Sequence, residues 1–552
     1  MDQHHAASHR THLSRRDLLK VGGTALAVAA AGPSVVGIRS AGAATPKPGG
    51  VFRFRGYTPP HFDPHLTASY TTMINLSFTH SRLLKHKAGP DVKPGTFDIV
   101  GDLAESWTQP DDKTYVFKLR KGVRWHKKPP VDGRELTAED VKYTFDRFTT
   151  IKGNANQHMM ATLAGTEVVD KYTVKFTLKE PDAFFLDFLA NPMALCIVAR
   201  EAVEKFTDLK KPEAVIGTGP WMLEGHEPKV RTTFVRNPDY FLKGLPYIQR
   251  IEGIDFNDPA ARLAAFVTGQ IDAGPEFPGM MIRRQDWNII KEKRPKLRYV
   301  EFPANVMVHA GMRTDKAPFG DIRVRRALSM AIDRKAVLQA TAEGVGVMNP
   351  PIPAALPAWA IPYDQMGEGL KWDAYNPAEA KKLLAAAGHP NGFSTTLEYT
   401  TYGSQELIDA VQMAVKFWKD IGVEVKVVEK PYAAYFATAY QGKQDAMMMG
   451  PQFPALDPWN FLAQYLPGEP KNQSHAKDPA LTDMILNMRR IMDDKKRLQQ
   501  IHAIQKHIAN QAYYVRFPSG VYIAALDPAL ENFAPNLGYD YGGRMMAAWW
   551  NK

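Results

Sequence analysis

The chain has 552 residues, of which 45% are hydrophobic and 23% are charged, and its formal net charge is +11. That length exceeds what one hydrophobic core usually supports, so we expect two or three domains, and the apolar content excludes a disordered chain. The single cysteine excludes an internal disulfide and zinc sites built from several thiolates.

The first 43 residues have the composition of an export signal. Ser14-Arg15-Arg16-Asp17-Leu18-Leu19-Lys20 precedes an apolar stretch from Val21 to Ile38, and Ala41-Gly42-Ala43 follows. A basic start, a short apolar region and a small-residue site are typical of a cleaved signal peptide, and the paired arginines resemble a twin-arginine signal. We therefore expect cleavage near Ala43 and export by the twin-arginine route to the periplasm, or free secretion.

Removal of residues 1–43 changes how the charge is interpreted. The segment carries five basic and two acidic residues, so the net charge falls from +11 to +8. The remaining basic residues are scattered, which predicts a solvated surface and no nucleic-acid partner. Cys196 lies far from the cleavage site, so we expect a soluble protein without a lipid anchor.

The mature chain alternates between strand and helix patterns. Apolar and polar residues alternate at 51–55, 114–119, 172–178 and 423–427, which predicts half-buried strands. Capping signals predict helices that begin after Thr137 and after Asn376, and apolar stripes predict one helix over 323–338 and another over 407–420. This mixture predicts an α/β protein.

No pattern in the chain indicates catalysis, a metal or a cofactor. His61 and His65 are four residues apart, but the prolines at 59, 60 and 64 favour a loop over a helical metal site. Met447 to Met449 favours a buried strand over a soft-metal site, and Cys196 lies in an apolar run that predicts an inert core thiol. We therefore expect no enzyme activity, no cofactor and no metal.

Several motifs occur in the order of one known family. They are LAESWTQPDDKTYVFKLRKGVRWHKKPPVDGRELTAEDVKYTFDRF from Leu103, GTGPW at 217–221, RNPDY at 236–240, TGQID at 268–272, DIRVRRALSMAIDRK at 321–335, and YNP at 375–377 leading to Gly388. Together they resemble the family 5 extracellular solute-binding proteins of ABC importers. Gly217 and Gly219 are expected to allow positive φ at a tight turn.

The resemblance implies a two-lobed binding protein, class II-like, with a hinge and an extra inserted domain. Lobe I is expected to be discontinuous and lobe II continuous, with the ligand trapped in the cleft between them. The expected limits are 44–84, 191–308 and 515–552 for lobe I, 85–190 for the inserted domain, and 309–514 for lobe II. The implied partners are the ligand and the transmembrane subunits of an ABC permease, and we expect a monomer.

The candidate binding residues follow from the family's cleft strand. Peptide-binding members have Gly-Trp-x-x-Asp-x-x-x-Pro there, and alignment on Pro458 places proline at both the Trp and the Asp positions. Because proline carries no negative charge, a ligand anchored by a free ammonium group is in question, and Asp457 is either a substitute or a turn residue. The candidates are Ala68, Ser69, Tyr70, Tyr432, Gly450, Pro451, Gln452, Phe453, Pro454 and Asp457.

The resemblance implies import of a small organic solute. Peptides or peptide-like molecules are the leading ligand class. An opine, an oligosaccharide, haem or a metal chelate on the same scaffold stays open as the alternative, because the usual acidic anchor is replaced by Pro454.

Overall fold

The computed structural model describes residues 45–552 except 68, 155, 194, 257, 277–279, 402–403, 453–454, 470 and 534. The export signal predicted at 1–43 lies outside the described residues, as do the candidates Ala68, Phe453 and Pro454. None of the helices in the described part of the chain has the length and hydropathy needed to cross a bilayer.

The described residues form twenty strands. They are β1 Val51–Arg55, β2 Leu84–His86, β3 Ile99–Gly101, β4 Ala104–Asp111, β5 Thr114–Leu119, β6 Leu163–Asp170, β7 Thr173–Leu178, β8 Trp221–Glu227, β9 Arg231–Arg236, β10 Arg250–Ile254, β11 Arg298–Pro303, β12 Val308–Met312, β13 Gly346–Val347, β14 Phe393–Tyr399, β15 Val423–Glu429, β16 Met447–Pro451, β17 Tyr514–Arg516, β18 Ser519–Leu526, β19 Leu530–Glu531 and β20 Trp549–Trp550.

Sixteen α-helices lie in the same described residues. They are α1 Tyr70–Thr79, α2 Ala138–Thr150, α3 Phe185–Ala190, α4 Arg200–Phe206, α5 Pro259–Val267, α6 Arg284–Lys293, α7 Ile322–Met330, α8 Arg334–Ala342, α9 Gly369–Asp373, α10 Pro377–Ala386, α11 Gln405–Asp420, α12 Tyr432–Ala437, α13 Pro458–Leu462, α14 Pro479–Arg490, α15 Asp494–Gln511 and α16 Tyr541–Met545. Short 3-10 turns include Ala439–Gln441, which follows α12.

Four of the sheets organise the molecule. Sheet A has the strand order β1-β10-β9-β8, sheet B has β15-β14-β16-β12-β17, sheet C has β11-β18-β13, and sheet D has β4-β5-β7-β6. In sheet A, β1 runs parallel to β10 with Val51 opposite Arg250, so the chain returns to its first strand after about two hundred residues of intervening sequence. Sheet D is antiparallel throughout and lies within that intervening sequence.

The cores explain why these sheets hold distant parts of the chain together. The core beside sheet A joins Phe52 and Phe54 from the start of the chain to Trp221 and to Trp550 near its end. The core beside sheet B packs helices α7 and α11 on its strands through residues such as Leu328 and Trp418. Burial of large apolar side chains of this kind stabilises a fold by about 1.5–3 kcal/mol for each side chain.

Most of the predicted elements are confirmed. The strands at 51–55 and 114–119 have the predicted bounds, and the one predicted at 172–178 begins one residue later. Thr137 and Asp140 form the predicted capping box at α2, and Asn376 caps α10 by accepting a hydrogen bond from the N–H of Glu379.

Two sequence predictions are wrong. The single helix predicted over 323–338 is two helices, because the Asp333 side chain accepts hydrogen bonds from the N–H groups of Lys335 and Ala336 and starts a new helix. Gly217 and Gly219 do not have positive φ. A Cβ atom at either position would overlap the backbone of Thr79, so close approach of two chain segments, not turn conformation, requires glycine there.

Candidate ligand-binding site

Two connections between sheets C and B run side by side. Residues 304–307 lead from β11 to β12, and residues 517–518 lead from β17 to β18. They are joined by hydrogen bonds from the Ala304 N–H to the Gly520 carbonyl at 3.1 Å and from the Phe517 N–H to the Val308 carbonyl at 3.0 Å. A pair of short, adjacent crossovers is a geometry in which two halves of a molecule can rotate about a common axis.

The predicted cleft strand is β16, which lies in the middle of sheet B. Gly450 pairs with His309 of β12, and Pro451 pairs with Val308. A Cβ atom on Gly450 would overlap the hydroxyl oxygen of Tyr435, which donates a hydrogen bond to the Met449 carbonyl at 3.1 Å. Glycine at position 450 therefore allows an aromatic side chain to lie against the strand.

Gln452 follows β16 and is 2% exposed. Its N–H donates to the Met307 carbonyl at 2.7 Å, and its side-chain Nε2 makes a long hydrogen bond of 3.5 Å to the Pro351 carbonyl. Its Oε1 atom has no hydrogen-bond partner among the described residues. A buried acceptor without a donor destabilises a protein by about 1–3 kcal/mol, and Gln452 stays a predicted binding residue.

Asp457 is held as the cap of a helix. Its Oδ1 accepts a hydrogen bond from the Asn460 N–H at 2.9 Å, and its Oδ2 accepts one from Asn460 Nδ2 at 2.8 Å. The residue is 4% exposed, and burial raises its pKa. Of the two interpretations made from the sequence, these contacts favour the local structural one.

The other predicted residues lie on two aromatic groups. Ser69 precedes α1, and the ring of Tyr70 stacks on Tyr539 with centroids 4.4 Å apart. Tyr432 is 56% exposed and begins a row of rings: its centroid is 6.0 Å from Phe436, which stacks on Tyr440 at 4.9 Å.

Six buried or half-buried tyrosines, of which only Tyr70 was among the residues predicted from the sequence, include members of both groups. Burial raises the pKa of Tyr539 well above its ordinary value, and four other tyrosines close by raise it further: Tyr522, Tyr541, Tyr440 and Tyr57. We call these five residues and Tyr70 the tyrosine cluster. Tyr440 belongs to the segment before β16 of sheet B, whereas the other members come from the two ends of the chain.

Charged side chains border the tyrosine cluster. The Arg55 guanidinium lies over the Tyr57 ring at 4.9 Å from its centroid, and its Nη1 lies 3.7 Å from Glu276 Oε2. Arg262 Nε lies 3.5 Å from Glu276 Oε1. Glu406, at the start of α11, has a pKa raised by burial and, to a smaller degree, by the charge of Glu276. The charges of Glu406 and Glu276 therefore influence each other.

A second acidic group interacts electrostatically with Asp457. Burial raises the pKa of Asp187 on α3 to about 7, and the charge of Asp457 adds to this rise. Among the described residues, no group of three or more His, Cys, Asp or Glu side chains is arranged to hold a metal ion.

The chain is similar to known proteins over most of its length. Residues 98–473 match the model of "Bacterial extracellular solute-binding proteins, family 5 Middle". Heme-binding protein A of Haemophilus influenzae is 28% identical over 482 residues, which cover 82% of this chain and 84% of that protein. Di/tripeptide-binding protein 1 of Pseudomonas aeruginosa is 30% identical over 442 residues, which cover 73% of this chain and 76% of that protein.

A solved structure shares the fold. The ABC transporter-associated periplasmic binding protein DppA from Helicobacter pylori, in complex with peptide STSA, has a TM-score of 0.76 and 24% sequence identity. The match covers 92% of this chain and 99% of that one. The α/β fold with two lobes that the motifs predict is thereby confirmed. The individual binding residues predicted above stay predictions.

Proposed function

The chain belongs to the bacterial extracellular solute-binding proteins of family 5, and we propose that it captures one peptide or peptide-like molecule between its lobes and delivers it to an ABC permease. The relatives named for dipeptides, tripeptides and haem make a peptide the leading ligand and haem the main alternative. Both kinds of ligand are small organic molecules that a cleft lined by aromatic side chains can enclose.

The tyrosine cluster is the observation that supports this proposal most strongly. Tyr440 lies in the segment before β16 of sheet B, and its charge contributes to the raised pKa of Tyr539, so the cluster combines side chains from both sides of the crossovers. A ligand that contacts both sides binds the closed form more tightly than the open form and shifts the population toward closure. The side-by-side crossovers at 304–307 and 517–518 supply the hinge in this mechanism.

Domain limits, export and oligomeric state are parts of the same proposal. The limits are those predicted above, and the boundaries at 308/309 and 514/515 lie within about three residues of the crossovers 304–307 and 517–518. Export uses the twin-arginine route and gives a monomeric periplasmic protein. Replacement of both Arg15 and Arg16 by lysine is expected to leave the precursor in the cytoplasm, which immunoblotting of cell fractions measures.

A thermal-shift screen tests the ligand class. Purified mature protein is tested against dipeptides, tripeptides, opines, oligosaccharides and haem. A ligand present at 100 times its dissociation constant stabilises the folded state by about 2.7 kcal/mol, so a true ligand raises the melting temperature clearly. Stabilisation by haem alone would contradict the peptide proposal, and stabilisation by none of these compounds would contradict capture of an organic solute.

A pair of variants locates the binding site. Tyr440→Leu removes one ring from the cluster and is expected to weaken binding of the stabilising ligand by about tenfold or more. Tyr375→Leu is the matched control, because Tyr375 is 48% exposed and packs against Phe417, away from the cluster. Equal affinities of the two variants would contradict the placement of the site.

A further inference from the structure

A buried ion pair joins the segment before α3 to helix α14. Arg489 Nη2 donates a hydrogen bond to Asp182 Oδ2 at 2.6 Å, and the two side chains are 9% and 0% exposed. Beside this pair, the Ala183 N–H donates to the Arg489 carbonyl at 2.8 Å. A second pair, Arg490 with Glu180 at 2.7 Å, lies at the surface, where both side chains are about half exposed. We call these five residues the latch.

Aromatic side chains extend the latch into the core. The Arg489 guanidinium lies 4.5 Å from the centroid of the Trp459 ring and 5.5 Å from that of Phe188. The Trp459 ring is in turn 6.4 Å from Phe184, and all three rings are buried. Burial of these rings favours the contact, and the ion pair beside them makes the contact sensitive to a change in either charge.

Helix α14 belongs to the sheet B side of the molecule. It packs on α15, where Gln500 Nε2 donates to the Met484 carbonyl of α14 at 3.1 Å. Near the end of α15, Asn510 Oδ1 accepts hydrogen bonds from Arg326 of α7 and from Trp372, each at 2.9 Å. Helix α7 packs on sheet B, and β17 of that sheet follows α15 in the chain. A rotation of sheet B would therefore carry α14 with it.

The segment before α3 belongs instead to the sheet A side. It directly follows β7 of sheet D, on which helix α2 packs. Arg147 of α2 forms a buried ion pair with Asp63 at 2.6 Å, next to Phe62 in the core beside sheet A. His126 Nε2 donates to the Gly219 carbonyl, just before β8, at 3.1 Å. Sheet D and the segment that follows it are thus fixed to sheet A by buried polar contacts.

The latch spans the two sides that the crossovers connect. A rotation about residues 304–307 and 517–518 that separates sheet A from sheet B also pulls the segment before α3 away from α14. The five latch residues pair with one another, and none of them is a predicted binding residue. Their contacts therefore form between protein groups alone and need no ligand.

We propose that the latch holds the two lobes together, so that the closed form is the main form of this protein even without a ligand. The proposal rests on the function proposed above, because it concerns the closure by which a ligand would be captured. The apparent dissociation constant of a ligand is its intrinsic constant divided by the competent fraction of the protein, so a latch that favours closure raises the affinity for a ligand of the closed form.

Distances between spin labels test the latch without a ligand. Cys196 is the single cysteine of the chain and is 1% exposed, so cysteines introduced at exposed positions can be labelled selectively. The reporting pair is Val169→Cys on β6 of sheet D with Val427→Cys on β15 of sheet B, and the control pair is Val169→Cys with Val230→Cys between β8 and β9 of sheet A. In pulsed electron–electron double resonance, the main distance of the unliganded reporting pair is expected to match the structure. A longer main distance would overturn the proposal.

Arg489→Glu distinguishes a latch from permanent packing. In the closed form the new carboxylate would face Asp182, whereas in the open form water separates the two charges. The ratio of closed to open molecules is therefore expected to fall at least about tenfold, which lengthens the distance in the reporting pair and leaves the control pair unchanged. A much lower melting temperature with an unchanged distance in the reporting pair would show permanent packing and overturn the proposal.

The surface pair of the latch gives a test in which folding is not at risk, because both side chains are about half exposed. Arg490→Glu is expected to lower the ratio of closed to open molecules by about two- to fivefold, and the double variant with Glu180→Arg is expected to restore it. Arg231→Glu is the matched control, because Arg231 is 46% exposed and lies 3.9 Å from Glu227 within sheet A. An effect of Arg490→Glu that the double variant does not reverse, or an equal effect of Arg231→Glu, would overturn the proposal.

These measurements separate the latch from the function on which it rests. They use unliganded protein, so if neither a peptide nor haem binds, the proposed function fails and the distances still decide whether the latch exists. If a peptide binds but the unliganded protein is mainly open, capture of a peptide stands and the latch is overturned.

Discussion

Replacement of Asp187 by asparagine is expected to stabilise the protein in a pH-dependent way. Asp187 lies on α3, and its pKa is raised from its ordinary value of 3.8 to about 7. The causes are burial first and the charge of Asp457 second, partly offset by Arg497. Because the folded state holds this proton more tightly than the unfolded state, the carboxyl group lowers stability as the pH rises.

The structure gives the pH window and the magnitude of this effect. Well below pH 3.8 the group is protonated in both states and has no effect, and well above pH 7 it is ionised in both and the full penalty is present. A rise in pKa from 3.8 to about 7 corresponds to at most about 4 kcal/mol. The asparagine of Asp187→Asn cannot ionise, so the gain in stability of this variant over the wild type should grow from a small value at pH 4 toward about 4 kcal/mol at pH 8.

Differential scanning fluorimetry at pH 4.5, 6 and 8 measures this gain. Asp208→Asn is the control, because Asp208 accepts a hydrogen bond from the Lys210 N–H at 3.0 Å and its pKa is lowered. A lowered pKa stabilises the protein above about pH 4, so this variant should lose a constant amount of stability from pH 5 to 8. A melting-temperature difference for Asp187→Asn that does not change between pH 4.5 and 8 would contradict a raised pKa of Asp187.

Three further outcomes are expected. Gly450→Ala should destabilise by about 1–3 kcal/mol because its Cβ meets the Tyr435 hydroxyl, and the double variant with Tyr435→Phe should lose less than the sum of the single changes in chemical denaturation. Asp457→Ala should lose about 1 kcal/mol of stability because it removes the cap of α13, whereas Asp457→Asn should lose much less, and equal losses would contradict the capping role. Burial raises the pKa of Cys196 to about 12, so a thiol reagent at pH 8 should label one thiol per chain only after denaturation; labelling of the native protein would contradict its burial.

Local sequence patterns predicted the helices and strands correctly where tertiary contacts favour the same structure. Helices begin after Thr137 and Asn376 because these residues cap the first free N–H groups of each helix. The alternation of apolar and polar residues predicted the bounds of β1. The apolar stripe over 323–338 spans two helices, so its pattern alone could not show that Asp333 interrupts them. Gly217 is explained by Thr79, a contact between distant segments that no local pattern reveals.

The site was less accessible to sequence reasoning than the fold. The strand around Gly450 was found through family motifs, and Tyr70 and Tyr432 were placed by spacing. The tyrosine cluster joins Tyr57, Tyr440 and Tyr539, which only tertiary structure brings together.

Native mass spectrometry of the mature protein tests most directly whether it captures one small organic solute. The protein is mixed with a pool of dipeptides and tripeptides, transferred to a volatile buffer and weighed intact. We expect one added peptide mass per chain, which is much reduced in Tyr440→Leu and retained in Tyr375→Leu. Detection of only unliganded protein at every peptide concentration would contradict capture of a peptide. Detection of an adduct only when haem is added would contradict it as well.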